Sequence, residues 1–319
     1  MSFDLPLPLR ESVAAWLAAN APANMREQTQ RLRQTYGAGQ SSGAINIAAY
    51  LSSRMPATFA AISFVLNEVA LVQPDFAPAT LLDVGSGPGT ASFAAQGIWP
   101  RLERYILLEQ DARFNAVAET LAKALLPQFD VHQQSLLSST PRADVVVAAY
   151  VLAELSQDHA TKAALHLWQQ TDHTLVIIEP GTPSGFTRIR SSRDALINAS
   201  AHIIGPCTHA AACPMQAADW CHFKARLARS RAHMQAKAAT VPFEDEAFSW
   251  VAVSRREAPL PQARIVGPPT TNKVAVTMRV CDAQGLHDES FASRHKATYN
   301  KAKKLKWGAS LPMLADQQS

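Results

Sequence analysis

The chain has 319 residues, of which 47% are hydrophobic and 18% charged, and its formal net charge is +4. This composition indicates a globular protein with enough apolar residues for one large core or two smaller ones. No window of 18 uninterrupted apolar residues occurs, which argues against a membrane span. The starting segment MSFDLPLPLRES has neither the apolar run of a signal peptide nor the composition of a transit peptide. Because cysteines are also few, we expect a protein of the reducing cytoplasm.

Residues 1–78 are predicted to be helical. Apolar residues recur at helical spacing in three segments, at residues 11–20, 25–36 and 56–72, and GAGQSS at residues 37–42 interrupts them. From residue 79 the pattern changes, because short apolar runs alternate with helical segments. Such alternation predicts an α/β fold whose parallel sheet is covered by helices on both faces.

The later part of the chain departs from this alternation. Residues 184–240 carry three of the cysteines and many arginines. Two further apolar runs, at residues 247–256 and 272–285, are predicted to close the sheet. We therefore predict a helical region at residues 1–78 and an α/β domain at residues 79–290. That domain would contain a cysteine-bearing insertion at about residues 184–240, and a basic tail would follow at residues 291–319.

The segment LLDVGSGPG lies between the first apolar run and a helix of small residues. Asp83 ends the run, and Gly85, Gly87 and Gly89 form the turn. Glycines let the backbone approach a ligand closely, and the N-terminus of the following helix offers free amide donors. Glu109 ends the next apolar run, 20 residues after Gly89. A carboxylate at that place can accept hydrogen bonds from ribose hydroxyls, so the segment predicts a nucleotide-type ligand rather than an ordinary turn.

The order of the aspartate and the glycines resembles the first motif of class I S-adenosylmethionine-dependent methyltransferases. The resemblance implies a Rossmann-like, seven-stranded sheet with an antiparallel last strand, and S-adenosylmethionine as cofactor. It implies that the Gly85–Gly89 loop lies against the methionine part of the cofactor and that Glu109 binds the ribose. It further implies that Gln134 and Ser135 lie near the adenine, and that Tyr150 faces the methyl group.

The sequence does not assign a catalytic residue. After the fourth apolar run the chain reads AAYVLAEL, not the Asn-Pro-Pro-Tyr type of motif of many amino-methyltransferases, and no cysteine lies there for covalent attack. Glu154 and Glu179 follow strands at the edge where such sheets bind ligands, and either could be a base or a structural residue. Methyl transfer can proceed mainly by alignment of two reactants, so the lack of an evident base does not exclude it.

The chain contains four cysteines, three in one short segment and one remote from it. They are Cys207, Cys213, Cys221 and Cys281. Four thiols are the number that holds one iron–sulfur cluster or one zinc ion. The wide spacing and the proline after Cys213 favour a cluster, because zinc ligands usually come in closely spaced pairs. The alternatives are a zinc ion, with His209 or His222 as further candidate ligands, and no metal at all, with the thiols as small buried residues.

Two segments are rich in basic residues. The first contains no acid between Asp219 and Glu244, and on a helix Arg226, Arg229, His233 and Lys237 would share one face. The second, near the C-terminus, interleaves lysines with Tyr299 and Trp307. Clustered cations with aromatic residues suit a phosphate backbone and stacked bases, so both segments are candidates for RNA binding, whereas either one alone would indicate a solvated surface. The candidate RNA-binding residues are Lys224, Arg226, Arg229, Arg231, Lys237, Lys301, Lys303, Lys304, Lys306 and Trp307.

These features occur together in one family. The relevant stretches are AAYLSSRMPATFAAI, LLDVGSGPGTASFAA, AAYVLAEL, LVIIEPGTPSGF, PFEDEAFSWVAVSR, KLKWG and the cysteine segment at residues 207–223. Together they resemble methyltransferase-like proteins associated with the mitochondrial small ribosomal subunit, and their bacterial relatives. The resemblance implies a four-iron, four-sulfur cluster held by the four cysteines. It also implies binding to the small ribosomal subunit or its RNA during assembly.

Two interpretations of function follow from the resemblance. The first is an S-adenosylmethionine-dependent RNA methyltransferase. The second is a catalytically inactive assembly factor that retains the methyltransferase fold. We expect a bacterial cytoplasmic protein with no membrane partner, and we favour a monomer.

Overall fold

The computed structural model describes residues 3–37, 45–136, 138, 141–216, 218–229, 234 and 240–311. Its N-terminal region is helical, as predicted. The helices are α1 (Leu7–Asn20), α2 (Met25–Gly37), α3 (Ile47–Ala49) and α4 (Met55–Val72). A π-helical turn at Tyr50–Arg54 continues α3 into α4. The Asn46 side chain begins α3 by accepting a hydrogen bond from the Ala49 amide at 2.9 Å.

The α/β core is a sheet of eight strands. The strands are β1 (Thr80–Val84), β2 (Arg104–Glu109), β3 (Phe129–Gln133), β4 (Ala143–Ala149), β5 (Thr171–Pro180), β6 (His202–Gly205), β7 (Phe223–Ala228) and β8 (Phe243–Ser254). Their order is β3-β2-β1-β4-β5-β8-β6, and β7 also pairs with β8. Strands β1 to β5 pair in parallel, and β8 runs antiparallel to β5, β6 and β7. The predicted α/β class and the antiparallel late strand are therefore confirmed.

Helices cover both faces of this sheet. They are α5 (Thr90–Ile98), α6 (Ala112–Leu125), α7 (Gln157–Gln169) and α8 (Pro183–Asn198). Helices α4, α5 and α6 contribute to the apolar core on one face, and α7 and α8 to the core on the other. The central strands are apolar on both sides because a parallel sheet between two helical layers has no solvated face.

The helix Ile47–Val72 passes a composition test for a membrane span, with a mean hydropathy of 1.6 over its most apolar window. In the folded chain 61% of that window is buried, and α4 packs against α5, β7 and β8. Core helices of globular proteins pass the same test, so this helix is only weak evidence for a membrane span.

A second, antiparallel sheet follows the first. Its strands are β9 (Ala263–Ile265), β10 (Thr270–Thr271), β11 (Ala275–Asp282), β12 (Gly285–Ala292) and β13 (Ser310–Leu311). The prediction that residues 272–285 close the main sheet is therefore wrong. Burial alternates along β11, as expected for a strand with one core face and one solvated face. The predicted boundary at residue 290 falls inside β12, and helix α9 (Lys296–Ala302) lies in the predicted basic tail.

The predicted insertion at residues 184–240 is not separate from the main sheet. It contains most of α8 and the strands β6 and β7. The proposed helical face of the first basic segment is also wrong where the structure describes it, because Phe223–Ala228 is a strand. Phe223, Ala225 and Leu227 are buried at alternate positions, which is the period of a strand.

Candidate functional site

The glycine loop after β1 turns sharply into α5. Gly85, Gly87 and Gly89 all have positive φ, at 63°, 53° and 87°. A Cβ at Gly85 would lie 2.4 Å from Val151, whereas a Cβ at Gly87 would meet only the Tyr50 hydroxyl, at 3.9 Å. Gly85 is therefore required for packing, and Gly87 faces open space.

That open space is a cavity of about 860 Å³, counting its mouth, at the carboxyl ends of β1, β2 and β4. This edge is where parallel α/β sheets bind ligands. Of the predicted cofactor residues, Gly85, Gly87, Glu109, Gln134 and Tyr150 line the cavity. Its lining also includes Ile45, Tyr50, Leu108, Gln110, Asp111, Phe114, Leu136, Ala149, Val151 and Glu154.

Three of the predicted cofactor residues do not line the cavity: Asp83, Gly89 and Ser135. The Asp83 carboxylate accepts hydrogen bonds from the amide and hydroxyl of Ser92, at 3.0 and 2.8 Å. Burial raises the pKa of Asp83 to about 6. Gly89 packs against Leu107 and Phe93. Asp83 and Gly89 thus shape the loop and anchor α5.

Glu109 stands between the loop and the cavity. One carboxylate oxygen accepts from the Gly87 amide at 3.0 Å, and the other accepts from the Asp111 amide at 2.9 Å. Each oxygen retains a second lone pair, so the carboxylate can hold the loop and still accept hydroxyl donors from the cavity.

A buried polar network closes the Tyr150 end of the cavity. The Arg54 guanidinium pairs with both oxygens of Glu246, at 3.1 and 3.0 Å, and the Tyr150 hydroxyl donates to the same carboxylate at 3.2 Å. Tyr150 itself has a φ of +63°. Burial raises the pKa of Tyr150 well above its usual range. The network presents a neutral phenol, not a phenolate, at the cavity wall.

Sequence reasoning did not assign Tyr50, Arg54 or Glu246 to the site. The family resemblance could have pointed to them, because all three lie in the matching stretches AAYLSSRMPATFAAI and PFEDEAFSWVAVSR. The π turn brings Tyr50 to the cavity and Arg54 to Glu246. Such turns occur frequently at functional sites.

The two glutamates considered as bases have different surroundings. Glu154 lines the cavity, and burial raises its pKa. Glu179 is fully buried, and burial raises its pKa to about 8. The Arg188 guanidinium lies 3.9 Å from the Glu179 carboxylate. The Arg188 guanidinium and the backbone amides of Ala153 and Leu152 offset part of this rise in pKa.

All four cysteines line a second cavity, of about 590 Å³ counting its mouth. Cys207 follows β6, Cys213 lies in the next loop, Cys221 precedes β7 and Cys281 lies in β11 of the second sheet. All four are free thiols. The Thr208 hydroxyl donates to the Cys281 carbonyl at 3.4 Å, and the Ser249 hydroxyl donates to the Cys221 carbonyl at 2.8 Å.

The surroundings of the thiols are basic and apolar. Arg190, Arg193 and Arg264 line the cavity, and its described lining contains no aspartate or glutamate. Burial, reinforced by the neighbouring thiols, raises the pKa of Cys281 to about 12. Burial also raises the pKa of Cys221 well above its usual range. A thiolate at either position therefore needs a positively charged partner, a role open to the cavity arginines and to a bound metal.

The four thiols share one cavity lining but do not converge on a single point. Within the described part of the chain, no three His, Cys, Asp or Glu side chains lie close enough together to hold one metal ion. A tetrahedral zinc would require sulfurs about 2.3 Å from the metal. His209 Nε2 lies 3.8 Å from the Cys281 sulfur. His222 does not line the cavity and stacks on Trp220.

The predicted RNA-binding residues fall into two groups. Arg226 pairs with Asp245 at 2.7 Å and Arg229 with Glu244 at 3.3 Å, both across the β7–β8 pairing. Lys224 lies over the Trp307 ring at 5.2 Å. Arg231, Lys237 and His233 lie outside the described residues.

The C-terminal lysines are more accessible. Lys301, Lys303, Lys304 and Lys306 are exposed on and after α9. Trp307 is half-buried, with its ring 4.6 Å from that of His222 and packed against the main core. Trp307 therefore has a packing role in the structure, whatever further role it has.

Comparison with known proteins identifies the family. The model of the family described as Mitochondrial small ribosomal subunit Rsm22 matches residues 44–312. The chain is 30% identical over 294 residues to Ribosome assembly protein METTL17, mitochondrial, from Homo sapiens, covering 83% of this chain and 62% of that protein. It is 24% identical over 330 residues to Rsm22-cox11 tandem protein 2, mitochondrial, from Schizosaccharomyces pombe, covering 86% of this chain and 44% of that protein.

Likeness to solved structures is weaker. The magnesium protoporphyrin IX methyltransferase of Synechocystis PCC 6803, with bound SAH, aligns with a TM-score of 0.43 and 11% identity, covering 72% of this chain and 100% of that one. The chain spans 62% and 44% of the lengths of the two curated relatives above, so their whole-protein activities do not transfer directly. The family match covers most of the chain, and the chain belongs to the Rsm22 family.

Proposed function

We propose that this chain is a methyltransferase-like protein that binds S-adenosylmethionine, holds an iron–sulfur cluster and acts with small-subunit ribosomal RNA during ribosome assembly. The observation that carries the proposal is the meeting of all four cysteines of the chain at one cavity. Family membership supports the ribosomal setting, because the matching family is described as mitochondrial small ribosomal subunit and the human relative is named a ribosome assembly protein.

The cofactor part of the proposal is supported by the cavity beside Gly87. S-adenosylmethionine supplies an electrophilic methyl group when it is bound. The Glu109 carboxylate would accept from the ribose hydroxyls, and the Gly85–Gly89 loop would let the backbone approach the cofactor. Tyr150, held by Glu246, would form the wall beside the methyl group. A neutral phenol there is a positioning group, not a base.

The metal part is supported by the chemistry of the donors. Four free thiols, three arginines and no acidic side chain surround a cavity among the described residues. Bound as a cluster, iron and sulfide would supply the positive charge that buried thiolates need. The residues that would hold the cluster are Cys207, Cys213, Cys221 and Cys281. A single zinc ion is the alternative, and it would require the sulfurs to draw closer together.

The RNA part is supported by the exposed lysines on and after α9. Phosphate contacts release counterions, so affinity should fall steeply with salt. Arg226 and Arg229 are already paired with acids, so their contribution should be smaller. The bacterial cytoplasm remains the proposed location.

Purified small-subunit RNA and labelled S-adenosylmethionine test the proposal and its alternative together. Label transferred to RNA would establish an RNA methyltransferase. Salt-sensitive RNA binding and cofactor binding without transfer would establish the inactive assembly factor. If the folded protein neither binds cofactor by calorimetry nor co-sediments with small-subunit particles more than an acidic control protein, the proposal is wrong.

A further inference from the structure

One buried arginine reaches the cysteine cavity from α8. The Arg193 side chain is 3% exposed, and its Nε donates to the Cys207 sulfur at 3.3 Å. Its Nη2 donates to the carbonyls of His209 and Ala211, at 2.9 and 2.7 Å. Its Nη1 pairs at 2.7 Å with Asp194, whose side chain is 51% exposed. A single guanidinium thus joins α8 to residues 207–211 of the segment that follows β6.

The charge of Arg193 is poorly matched by its protein partners. A buried charge is costly unless an opposite charge lies near it, and the exposed Asp194 carboxylate is screened by water. Carbonyl oxygens offer only partial charges. A cluster bound through the Cys207 sulfur would place its negative charge within reach of the Arg193 Nε group, which already donates to that sulfur, and hydrogen bonds to ionised groups are the stronger class.

The other two cavity arginines are arranged differently. Arg264 pairs with Glu68 and donates to the carbonyls of Pro206 and Gly308, so its charge already has a carboxylate partner. Arg190 lies over the Phe186 ring at 5.6 Å. Among the described arginines, only Arg193 donates a hydrogen bond to a cysteine sulfur.

We propose that Arg193 is the positioning residue of the cysteine site. It holds the Cys207 loop in place for ligation and offsets part of the negative charge of a thiolate-bound cluster. Groups beyond the ligands commonly orient them and tune the centre in this way. The inference rests on the proposed function, because it requires a cluster at the four cysteines.

Three variants test this role in the anaerobically purified full chain. Arg193→Gln removes the charge, and Arg193→Lys keeps the charge but loses the planar fork. Arg104→Gln is the control, because this exposed arginine pairs with Asp130 and does not line the cavity. Cluster loss to an iron chelator is followed by visible absorption. It should be about 10–100-fold faster than wild type in Arg193→Gln, intermediate in Arg193→Lys and within about twofold of wild type in Arg104→Gln.

A potentiometric titration separates charge from structure. Dithionite, itself oxidised to sulfite, adds one electron and therefore one negative charge to each cluster. Loss of a nearby positive charge disfavours that reduced form, so the midpoint potential should shift to more negative values in Arg193→Gln. It should stay near the wild-type value in Arg193→Lys, although that variant loses its cluster faster. A merely structural role would not produce this difference.

The outcomes are distinguishable. Wild-type loss rates and potentials in both Arg193 variants would overturn the inference. If Arg193→Gln takes up no cluster, Arg193→Lys decides: faster loss than wild type supports the inference, and an equal rate overturns it. Wild-type protein without iron and sulfide would defeat the proposed function itself, whereas a loaded wild type with indifferent variants would defeat only the role of Arg193.

Discussion

At the scale of single residues, Glu179 makes the stability of the protein depend on pH. Its carboxyl is fully buried at the end of β5, and burial raises its pKa to about 8, against about 4.3 for an unfolded glutamate. Between these pH values the folded state holds more protons than the unfolded state. The contribution of Glu179 to stability therefore falls as pH rises through this window.

Glu179→Gln should remove this dependence while keeping the shape of the side chain. The free energy of unfolding of the variant, relative to wild type, should rise by about 2 kcal/mol between pH 6 and pH 8.5. Urea unfolding at the two pH values measures it. The test compares how the free energy of unfolding changes with pH in the two proteins. Any pH-independent loss of stability caused by the glutamine amide therefore cancels. A difference that does not vary with pH would show that Glu179 titrates normally.

Gly87 gives a second residue-scale test. Gly87→Val should fill the space beside Tyr50 and force a branched side chain into a backbone with φ of +53°. We expect a folded variant that no longer binds S-adenosylmethionine in calorimetry. Gly97→Val is the matched control, because no atom lies within 4 Å of a Cβ at this exposed helical glycine. If Gly87→Val bound S-adenosylmethionine with wild-type affinity, the cofactor would have to bind elsewhere.

At this scale the sequence predicted residue types better than residue roles. Gly85, Gly87, Glu109 and Tyr150 line the predicted cavity. Asp83 does not, because its carboxylate is turned inward to Ser92. A motif fixes where the turn lies, but the direction of a carboxylate depends on a partner that spacing alone does not reveal.

At the scale of elements, a nearly buried ion pair attaches the N-terminal helices to the main sheet. Arg54 in the π turn and Glu246 in β8 are only 16% and 11% exposed in their side chains. Glu246→Gln should lower the free energy of unfolding by about 3 kcal/mol, because it removes the carboxylate that pairs with both arms of the largely buried guanidinium. Asp245→Asn, the neighbour in β8 that pairs with an exposed arginine, should cost no more than about 1 kcal/mol.

Chemical denaturation of both variants and wild type measures this difference. Equal losses at the two adjacent positions would contradict a structural link through the π turn. Thermal unfolding of the Arg54→Gln, Glu246→Gln double variant adds a check, since the second substitution should add little once the pair is broken.

The lysines on and after α9 give the RNA prediction. Replacing Lys301, Lys303, Lys304 and Lys306 by Gln should reduce the slope of log affinity against log salt by about 0.7–0.9 for each phosphate that the protein no longer neutralises. Cofactor binding should not change. Arg226→Gln is the control, because this arginine is already paired with Asp245. An unchanged slope in the quadruple variant would mean that RNA binds another surface or does not bind.

Helices and strands were predictable where the apolar residues recur with a clear period. Which strands pair with one another was not predictable. The alternation of apolar runs and helices predicts β1 to β5 and their helices. The pattern at residues 272–285 correctly predicts a strand but not its sheet, because period two says nothing about which neighbour a strand pairs with. For Phe223–Ala228 the spacing of Arg226 and Arg229 suggested a helical face, whereas buried Phe223, Ala225 and Leu227 determine a strand.

At the scale of the whole molecule, the cysteine site lies where the two sheets meet. Cys207, Cys213 and Cys221 belong to segments around the main sheet, and Cys281 pairs in register with Arg264 in the second sheet. Arg264 in turn pairs with Glu68 in α4. Ligation across this junction would join the second sheet to the rest of the protein, as metal binding joins remote segments in other folds.

Cys281→Ser should therefore lose the cluster and loosen the second sheet while the main sheet stays intact. Hydrogen exchange should show faster exchange in β9 and β11 and unchanged protection in β1 and β4. Chelator-treated wild type is the control and should show the same pattern. Unchanged protection in the second sheet of both proteins would mean that the thiols do not hold the junction together.

The most direct test of the central claim is the iron and acid-labile sulfide content of the anaerobically purified full chain, with Mössbauer spectroscopy of iron-57 protein. Four cysteines can hold a two-iron or a four-iron cluster, and the family resemblance implies the latter. We therefore predict a brown protein with about four irons and four sulfides per chain. Replacing any one of the four cysteines should lower both contents together. Stoichiometric zinc without iron, or a colourless protein that binds no metal, would contradict the account.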